Sequence, residues 1–401
     1  METWSLPEGS QWMPIRNNHS ALLIIEEGTP SARPLLRGKL PAWGLRELGW
    51  RAKAAPVLYE EGEEISSGNL VSFGTFNGWS PGETKPTPTP KFIVSRPLLQ
   101  PEKDSKPELN EYLQLDNMKF VSHSQIDIIQ TAQEHGQYFL LDLDDDIWNV
   151  PKWNPAIEKI DEYRENWLND LAVSNGLVVS TWHIKYQAEQ HGVKVPIYLC
   201  PNSCNWWDFP VIPYENDILR VAWFGVLSSR QQDIEPYVEE IKWALEGRRD
   251  TVEFWHIGAT LNGRDTIRDI LRPFPVDIIE RPWTDDIQDV ISEIDIGIIP
   301  AMDIPFNYGR SNALGLQFAA AGKPFIATRL HEYQLLNDAG VSCATDSFAE
   351  PLAELIEDVE YREWFRETAP AIIRAKFSPE VIAKEYVKAF EDAARTDNKE
   401  R

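Results

Sequence analysis

The feature that most constrains the fold of this 401-residue chain is a strand, a helix and a second strand that follow one another between Ile294 and Thr328. The apolar run Ile294–Pro300 predicts a buried strand, and a helix of small residues begins near Ser311. A Gly322-Lys323-Pro324 turn leads into a second apolar run, Phe325–Thr328. Short apolar runs that alternate with helices are typical of a parallel sheet covered on both faces. The segment therefore predicts an α/β fold.

The helix near Ser311 begins at the carboxyl end of the preceding strand, which gives it a ligand preference. In open α/β sheets, ligands bind outside the carboxyl ends of the strands. The free N–H groups and the dipole of a helix N-terminus favour an anion such as a diphosphate. A plain packing helix with Gly322 at its C-cap is the alternative for this segment taken alone.

A basic residue follows another predicted strand in this half of the chain. The apolar run Leu219–Phe224 ends at Gly225 and is followed by Ser229 and Arg230, ahead of a helix predicted from about Asp233. A guanidinium matches phosphate oxygens bidentately, so Arg230 suits a diphosphate. A solvent-facing arginine at a helix start is the alternative. Two more strands are predicted in this half of the chain, Thr251–Gly258 and Val276–Glu280.

The order of these strand exits resembles the donor-binding segment of the retaining nucleotide-sugar glycosyltransferases with two Rossmann domains (GT-B), of the group 1 or family 4 kind. That family has an E-x7-E pattern, a small-residue run and G-x-P, and Leu316–Pro324 holds this register. The two acid positions are Gly309 and Gln317, so neither acid is kept. Val226 stands where the family often has an arginine.

The resemblance implies two Rossmann-like domains that face each other across a cleft. It implies an acceptor-side domain over residues 1–200, a linker over 201–216 and a donor-binding domain over 217–377. A last helix, 378–396, is expected to pack back on the first domain. The activity implied is metal-independent transfer of a hexosyl or pentosyl group from a UDP- or GDP-type sugar, with retention and without a prosthetic group. The donor site implied comprises Gly225, Ser229, His256, Gly258, Arg310, Ser311, Asn312, Ala313 and Gln317, with Arg230 acting on the diphosphate.

The acidic run Asp142–Asp146 follows a predicted strand in the first half of the chain. Hard oxygen ligands at this spacing suit Mn²⁺ or Mg²⁺, which is the metal-nucleotide site of the other large glycosyltransferase fold. Because that single-domain fold leaves the C-terminal half unexplained, we instead expect these acids at the cleft, with Asp145 near the acceptor and no metal. A helix N-cap role for Asp145 or Asp146 is the other alternative. His123, after the run Lys119–Ser122, is a second catalytic candidate.

Charge and cysteine content exclude several classes of protein. The net charge of −24 argues against a broadly cationic surface for nucleic acid or anionic membranes. No apolar run approaches about 20 residues, and the N-terminus lacks a signal-peptide pattern, so we expect no membrane span and a cytoplasmic location. Cys200, Cys204 and Cys343 lack a second pair of metal ligands and predict reduced structural thiols.

The sequence leaves the acceptor open between a small carbohydrate, a lipid-linked sugar, a protein side chain and a modified nucleic-acid base. A cluster of basic residues between positions 31 and 56 suits the donor diphosphate or an acidic acceptor at the cleft, and a solvated helix face is the alternative for most of its members. It is compatible with a phage-type transferase that acts on modified DNA bases or on protein, whereas the overall acidity argues against DNA. The cluster comprises Arg33, Arg37, Lys39, Arg46, Arg51 and Lys53. Because both E-x7-E acids are absent, a nucleotide-binding protein without catalysis is a further alternative.

Overall fold

The computed structural model describes residues 20–25, 35–56, 91–95, 99–101, 120–122, 125–154, 157–213, 217–259, 267–284 and 286–400. Within these ranges the chain forms two parallel sheets of six strands each, flanked by helices. The prediction of an α/β fold with two Rossmann-like units is therefore confirmed.

The first sheet has the strand order β2-β1-β3-β6-β7-β8, and every neighbouring pair is parallel. Its strands are β1 (Ser20–Ile25), β2 (Arg51–Pro56), β3 (Phe92–Ser95), β6 (Tyr138–Leu143), β7 (Gly176–Val179) and β8 (Ile197–Leu199). Two short strands, β4 (Leu99–Pro101) and β5 (Phe120–Ser122), pair antiparallel in a separate ribbon.

The second sheet has the order β11-β10-β9-β12-β13-β14, again with parallel neighbours throughout. Its strands are β9 (Leu219–Phe224), β10 (Val252–Ile257), β11 (Asp277–Arg281), β12 (Ile296–Ile299), β13 (Phe325–Thr328) and β14 (Cys343–Thr345). The strand order reverses between β9 and β12. Strands β10 and β11 lie on one side of β9, and β12, β13 and β14 lie on its other side. Such a reversal opens a crevice at the carboxyl ends of the two strands.

Fourteen α-helices lie in the described ranges. In the first half they are α1 (Leu40–Glu47), α2 (Ile126–Glu134), α3 (Ile157–Val173) and α4 (Trp182–Gln190). In the second they are α5 (Leu227–Ile234), α6 (Val238–Leu245), α7 (Ile267–Leu271), α8 (Ile287–Glu293), α9 (Pro305–Tyr308), α10 (Ala313–Ala320), α11 (His331–Asp338), α12 (Ala349–Glu357), α13 (Val359–Phe377) and α14 (Pro379–Glu400). A π-helical turn, Leu35–Lys39, precedes α1, and 3₁₀ turns cover Trp206–Asp208 and Glu235–Tyr237.

Both faces of the second sheet are buried, which explains its continuous apolar strands. Along β9, Val221 and Trp223 pack into one core, while Ala222 and Phe224 pack into the other. Side chains alternate across a strand, so a sheet with a core on each face needs apolar residues at every position. This is why short unbroken apolar runs, rather than alternating ones, mark these strands in the sequence.

The last helix returns to the first half of the chain. Ile382, Tyr386 and Phe390 of α14 lie in the same buried cluster as Leu45 of α1 and Trp50. The segment before β9 accompanies this return, because the backbone N–H of Cys204 donates to the carbonyl of Phe377 (2.9 Å). Cys200 and Cys204 are buried free thiols, as predicted from their spacing, and burial raises the pKa of both.

The structure differs from the sequence prediction at one element next to the crevice. The helix expected from about Asp233 begins at Leu227. Val226 is extended (φ −77°, ψ 121°), and from Leu227 to Ile234 there is neither glycine nor proline to oppose a helix. Arg230 therefore lies on the helix, three residues before Asp233 and on the same face.

Candidate functional site

Two arginines meet in the crevice between β9 and β12. Arg230 lies on α5, which follows β9, and Arg310 lies between α9 and α10, which follow β12. Both guanidinium groups donate through Nη1 to Oδ2 of Asp233, Arg230 at 3.4 Å and Arg310 at 3.0 Å. The reversal of strand order thus brings together two cations that are 80 residues apart in sequence.

Asp233 organises this cluster. Its side chain is buried, and its Oδ1 accepts hydrogen bonds from the backbone N–H of Met302 (3.0 Å) and from Nδ2 of Asn307 (2.7 Å). Asp233 therefore joins α5 to the loop after β12. The sequence analysis did not single out Asp233 as a site residue. Its signal is the Arg-x-x-Asp spacing, which places the two side chains together once the helix is known to begin at Leu227.

Two guanidinium groups share the one carboxylate of Asp233, and the charge of Asp145 also acts on Arg230. Arg310, followed by burial, lowers the pKa of Arg230 to about 10, so that Arg230 remains protonated at neutral pH. The Arg230 side chain is 34% exposed and that of Arg310 is 20% exposed. A lowered arginine pKa reports unrelieved repulsion between the two cations. An anion with two or more oxygens relieves this repulsion, so the pocket favours a ligand such as a diphosphate.

The N-terminus of α10 faces the same crevice. Asn312 does not cap the helix with its side chain, because its Nδ2 donates to the backbone carbonyl of Glu332 (3.1 Å). Ser311 and Ala313 are half-buried beside it. The helix dipole adds to the positive potential of the arginines.

Gln317 lies one turn further along α10 and is 6% exposed. Among the residues that the structure describes, its side-chain amide has no hydrogen-bond partner. The amide atoms of Gln317 are not among the fully buried polar atoms without a partner, so they reach the solvent of the crevice and can donate to or accept from a ligand hydroxyl there.

The residues that follow the neighbouring strands β9 and β10 pack closely against each other at the base of the crevice. His256 of β10 is buried against Trp223, and its Nε2 is 2.8 Å from the carbonyl oxygen of Gly225. Gly258 follows β10 with φ +115°, and a Cβ there would lie 2.7 Å from that same carbonyl oxygen. Only glycine fits this conformation and this approach. His256 and Gly258 therefore shape the backbone at Gly225. Ser229 bonds within its own helix, to the carbonyl of Val226 (3.4 Å).

The opposite side of the crevice comes from the first sheet. Asp146, after β6, and His183, in the first turn of α4, lie against Gly309. A Cβ at Gly309 would be 3.0 Å from Cβ of Asp146 and 3.5 Å from Cδ2 of His183. Asp145 is close enough for its charge to act on Arg230. The exits of β6 and β7 thus border the arginine cluster.

The other acids of Asp142–Asp146 have different environments. Asp142 is buried and pairs with Arg37 of the basic cluster, so Arg37 is neither a solvated side chain nor a cleft cation. Within the described ranges, no group of three or more His, Cys, Asp or Glu side chains has the arrangement of a metal site. His123, the second catalytic candidate, lies outside the described residues.

Two further hydrogen bonds connect the halves of the chain beside the crevice. Oγ1 of Thr181 donates to the carbonyl of Gly309 (3.4 Å), and the backbone N–H of Trp182 donates to Oε1 of Glu332 (3.4 Å). Burial raises the pKa of Glu332 to about 7, partly offset by the hydrogen bond from Trp182. Glu332 is therefore a carboxyl group beside the crevice whose protonated form is favoured by burial.

The same architecture occurs in solved structures that cover nearly the whole chain. HepE from Anabaena, solved in complex with UDP and glucose, has a TM-score of 0.58 and 12% identity over 93% of this chain and 100% of its own. A glycosyltransferase from Rickettsia africae has a TM-score of 0.55 and 12% identity over 94% of this chain and 99% of its own. Sucrose-phosphate synthase from Thermosynechococcus elongatus has a TM-score of 0.54 at the same identity and coverage.

These similarities show that the chain has the GT-B fold. At the level of sequence, it matches no family model and no curated protein. No helix in the described ranges is both long and apolar enough to cross a membrane.

Proposed function

We propose that this chain is a glycosyltransferase that takes a sugar from a nucleoside-diphosphate donor bound by residues 217–377. The observation that carries the proposal is the convergence of Arg230 and Arg310 on Asp233 at the reversal of strand order. Two partly exposed guanidinium groups share one carboxylate in this cluster, and a helix N-terminus lies beside them. A diphosphate is an anion of matching size and charge.

The arginines also supply the chemistry that sugar transfer requires. Breaking the bond between the anomeric carbon and the diphosphate increases the negative charge on the leaving group. Groups that bind this developing charge more tightly than the ground state accelerate the reaction. Arg230 and Arg310 are held in place by Asp233 before the donor binds, so little reorganisation is needed.

The donor is a UDP- or GDP-type sugar in this proposal. HepE, which shares the fold, was solved with UDP and with UDP-glucose. Gln317 supports a nucleotide, because its side-chain amide has no protein partner in the described ranges and is able both to donate to and to accept from ribose hydroxyls. We propose transfer with retention, as in the group 1 enzymes that the sequence resembles, to an acceptor bound by residues 1–200.

A thermal-shift screen over nucleotides and nucleotide sugars tests the donor assignment. A ligand at 100 times its Kd stabilises the folded state by about 2.7 kcal/mol, so UDP or GDP raises the melting temperature at saturating concentration. The matching nucleoside, which lacks the diphosphate, serves as the control and gives a much smaller shift. Equal shifts with nucleoside and diphosphate would show that the arginine cluster does not bind phosphate.

Transfer is metal-independent in this proposal, because two guanidinium groups and a helix N-terminus meet the diphosphate charge. Turnover of the donor therefore survives EDTA. Complete loss of turnover on chelation, restored by Mn²⁺, would move the reacting centre to the acids of Asp142–Asp146 and contradict the arginine assignment.

Gly309 and Gln317 favour a second candidate, a protein that binds a nucleotide without catalysing transfer, because they stand at the positions of the two family acids. Slow release of UDP from UDP-glucose distinguishes the two. A transferase releases UDP by transfer to water, whereas a binding protein is stabilised by UDP-glucose and leaves it intact.

A further inference from the structure

Three exposed aromatic residues lie where the two halves of the chain meet at the crevice. Trp182 and Tyr186 of α4 are 51% and 54% exposed, and Tyr308 of α9 is 36% exposed. Large aromatic side chains are mostly buried in folded proteins, because their rings carry a large apolar surface. A set of exposed rings beside a ligand site therefore points to a function in binding.

The three residues belong to one surface. Trp182 and Tyr186 are four positions apart on α4, so they lie on the same face of the helix. The ring of Tyr308 meets that of His183 edge-on at 5.6 Å, and His183 is the neighbour of Trp182 in the chain. The ammonium of Lys185 lies over the indole of Trp182, 5.4 Å from the ring centroid. Trp182, Tyr186 and Tyr308 are called the aromatic strip below.

The aromatic strip borders the donor pocket. The backbone N–H of Trp182 donates to Oε1 of Glu332 (3.4 Å), across the boundary between the two halves. Tyr308 is two residues before Arg310, which belongs to the arginine cluster. In the proposed reaction, the transferred sugar is bonded to the diphosphate that this cluster holds. The acceptor hydroxyl has to reach that sugar, so the acceptor lies in the same part of the crevice as the strip.

Glu332 adds a hydrogen-bond acceptor beside the strip. The residue is 4% exposed, and its Oε1 accepts from Trp182. Its Oε2 has no hydrogen-bond partner in the described ranges and is not fully buried, so it remains open to a ligand. A carboxyl oxygen accepts from hydroxyl groups, and the negative face of an aromatic ring attracts weakly positive C–H groups. A sugar ring presents both kinds of group.

Charge near the strip favours a neutral ligand. The hydroxyl of Tyr308 donates to Asp303 (2.6 Å), so acidic side chains contact the strip at Tyr308 as well as at Trp182. Arg37, a member of the basic cluster, is buried against Asp142 and does not offer its charge to an external phosphate. The net charge of −24 also repels the phosphates of DNA and of lipid-phosphate carriers. A ligand with hydroxyl groups and without phosphate fits this surface better.

We propose that the aromatic strip and Glu332 bind the acceptor, and that this acceptor is a small neutral saccharide. The inference rests on the proposed glycosyltransferase function and names the acceptor class that the sequence left open. The rings of the strip bind the C–H face of the acceptor sugar. Oε2 of Glu332 accepts a hydrogen bond from one of its hydroxyls, which leaves another hydroxyl for the donor.

The test measures the release of UDP and GDP by the full chain from UDP-glucose and GDP-mannose, with and without a pool of neutral mono- and disaccharides. The pool raises the release above the hydrolysis seen with water alone. The saccharide that raises it most is then titrated to obtain its KM. Trp182→Ala raises this KM about tenfold, with a smaller effect on kcat. Trp182→Phe, which keeps an aromatic face, raises it only about twofold.

Trp243→Ala is the matched control, because Trp243 is 55% exposed and lies near the C-terminal end of α6, outside the strip. This variant keeps the wild-type KM for the saccharide. Each variant is first shown to keep the melting shift that UDP or GDP gives with the wild type, which establishes that it is folded and that its donor site is intact.

The outcomes separate the two hypotheses. Absence of a melting shift with both nucleotides in the wild-type protein would reject the proposed function itself. If a nucleotide binds, release that is stimulated by duplex DNA, casein or octyl glucoside but not by the saccharide pool, or by none of them, would reject only the saccharide acceptor. A wild-type KM in the folded Trp182→Ala variant would reject the aromatic strip as its binding site.

Discussion

The two halves of the chain each place an arginine against an aspartate at the end of a parallel sheet, and the two arrangements differ in almost every other respect. In the first half, Arg37 donates to Asp142 through Nε and Nη2, and its Nη1 donates to the carbonyl of Cys200 (2.6 Å) and to Asn202 (3.2 Å). In the second half, Arg230 and Arg310 share one oxygen of Asp233.

The two clusters differ in the solvent exposure of their arginines and in the number of arginines that share one carboxylate. The Arg37 side chain is 1% exposed, its charge is balanced by one carboxylate, and Tyr386 of α14 covers its guanidinium at 5.9 Å. It ties the first sheet to the chain before β9 and to the last helix. The second cluster is partly exposed to solvent, and two arginines share its one aspartate. An ion pair that is closed and neutral is structural, whereas one that is open and unbalanced has capacity for a ligand.

The largest effect expected from this comparison is on stability. Removing one partner of a buried pair costs about 3–5 kcal/mol, because the other charge remains buried without it. Arg37→Met therefore lowers the free energy of unfolding by about that amount in urea denaturation. Arg230→Met, the matched change in the open cluster, changes it by less than about 1 kcal/mol, because Asp233 keeps Arg310 and two other donors.

The double variant Arg37→Met, Asp142→Leu sharpens this prediction. It recovers most of the lost stability, because no uncompensated charge is left. Equal destabilisation by Arg37→Met and Arg230→Met would erase the distinction between the two clusters.

A smaller effect concerns Glu332, whose contact with Trp182 joins the two halves. Its folded-state pKa, about 7, lies above the ordinary glutamate value, so the folded protein binds the proton more tightly than the unfolded chain. This contribution to stability is present below the ordinary pKa and is lost as pH rises to about 7. The loss is on the order of 3 kcal/mol.

Glu332→Gln removes that pH dependence, because the amide does not ionise. Unfolding free energies of wild type and variant, measured from pH 4 to pH 8, therefore diverge as pH rises, with the variant more stable at pH 8. Parallel curves over this range would show that the Glu332 carboxyl group ionises normally in the folded protein.

The smallest effect concerns Gln317 on the donor side. Gln317→Ala weakens binding of UDP by about 1–2 kcal/mol in isothermal titration, the scale of a neutral hydrogen bond lost at a buried site. Gln334→Ala, a half-buried glutamine of α11 whose amide donates to Asp338, is the control and leaves the affinity unchanged. Unchanged affinity in a folded Gln317→Ala variant would show that α10 does not present this residue to the ribose.

The sequence predicted those parts of the molecule that depend on local pattern. Unbroken apolar runs identified the strands of the second sheet, and Gly225 and Gly258 marked the exits of β9 and β10. Arg230 was placed near the donor because it follows one of these exits. The order of the strands in the sheet follows from the fold. The strands and the position of Arg230 could therefore be predicted from the sequence without coordinates.

Tertiary pairing decided what the sequence did not show. The basic residues around Arg37 suit an exposed face, and Arg37 is buried because Asp142, 105 residues away, and the Cys200 carbonyl and Asn202 accept its hydrogen bonds. Asp233 belongs to the site because Arg310 donates a hydrogen bond to it, and His183 lies at the crevice because it packs against Gly309. Each contact joins residues that are far apart in the chain. Such contacts have no local signature.

The central claim is that the open arginine cluster stabilises the leaving diphosphate. The direct measurement is kcat for turnover of UDP-glucose by Arg230→Ala and Arg230→Lys, each shown to be folded by circular dichroism. Loss of a charge-assisted hydrogen bond costs about 1.5–3 kcal/mol, so Arg230→Ala lowers kcat about ten- to a hundredfold, with a smaller effect on the Kd for UDP. Arg230→Lys keeps the charge and recovers part of the rate. Wild-type kcat in a folded Arg230→Ala variant would contradict the claim.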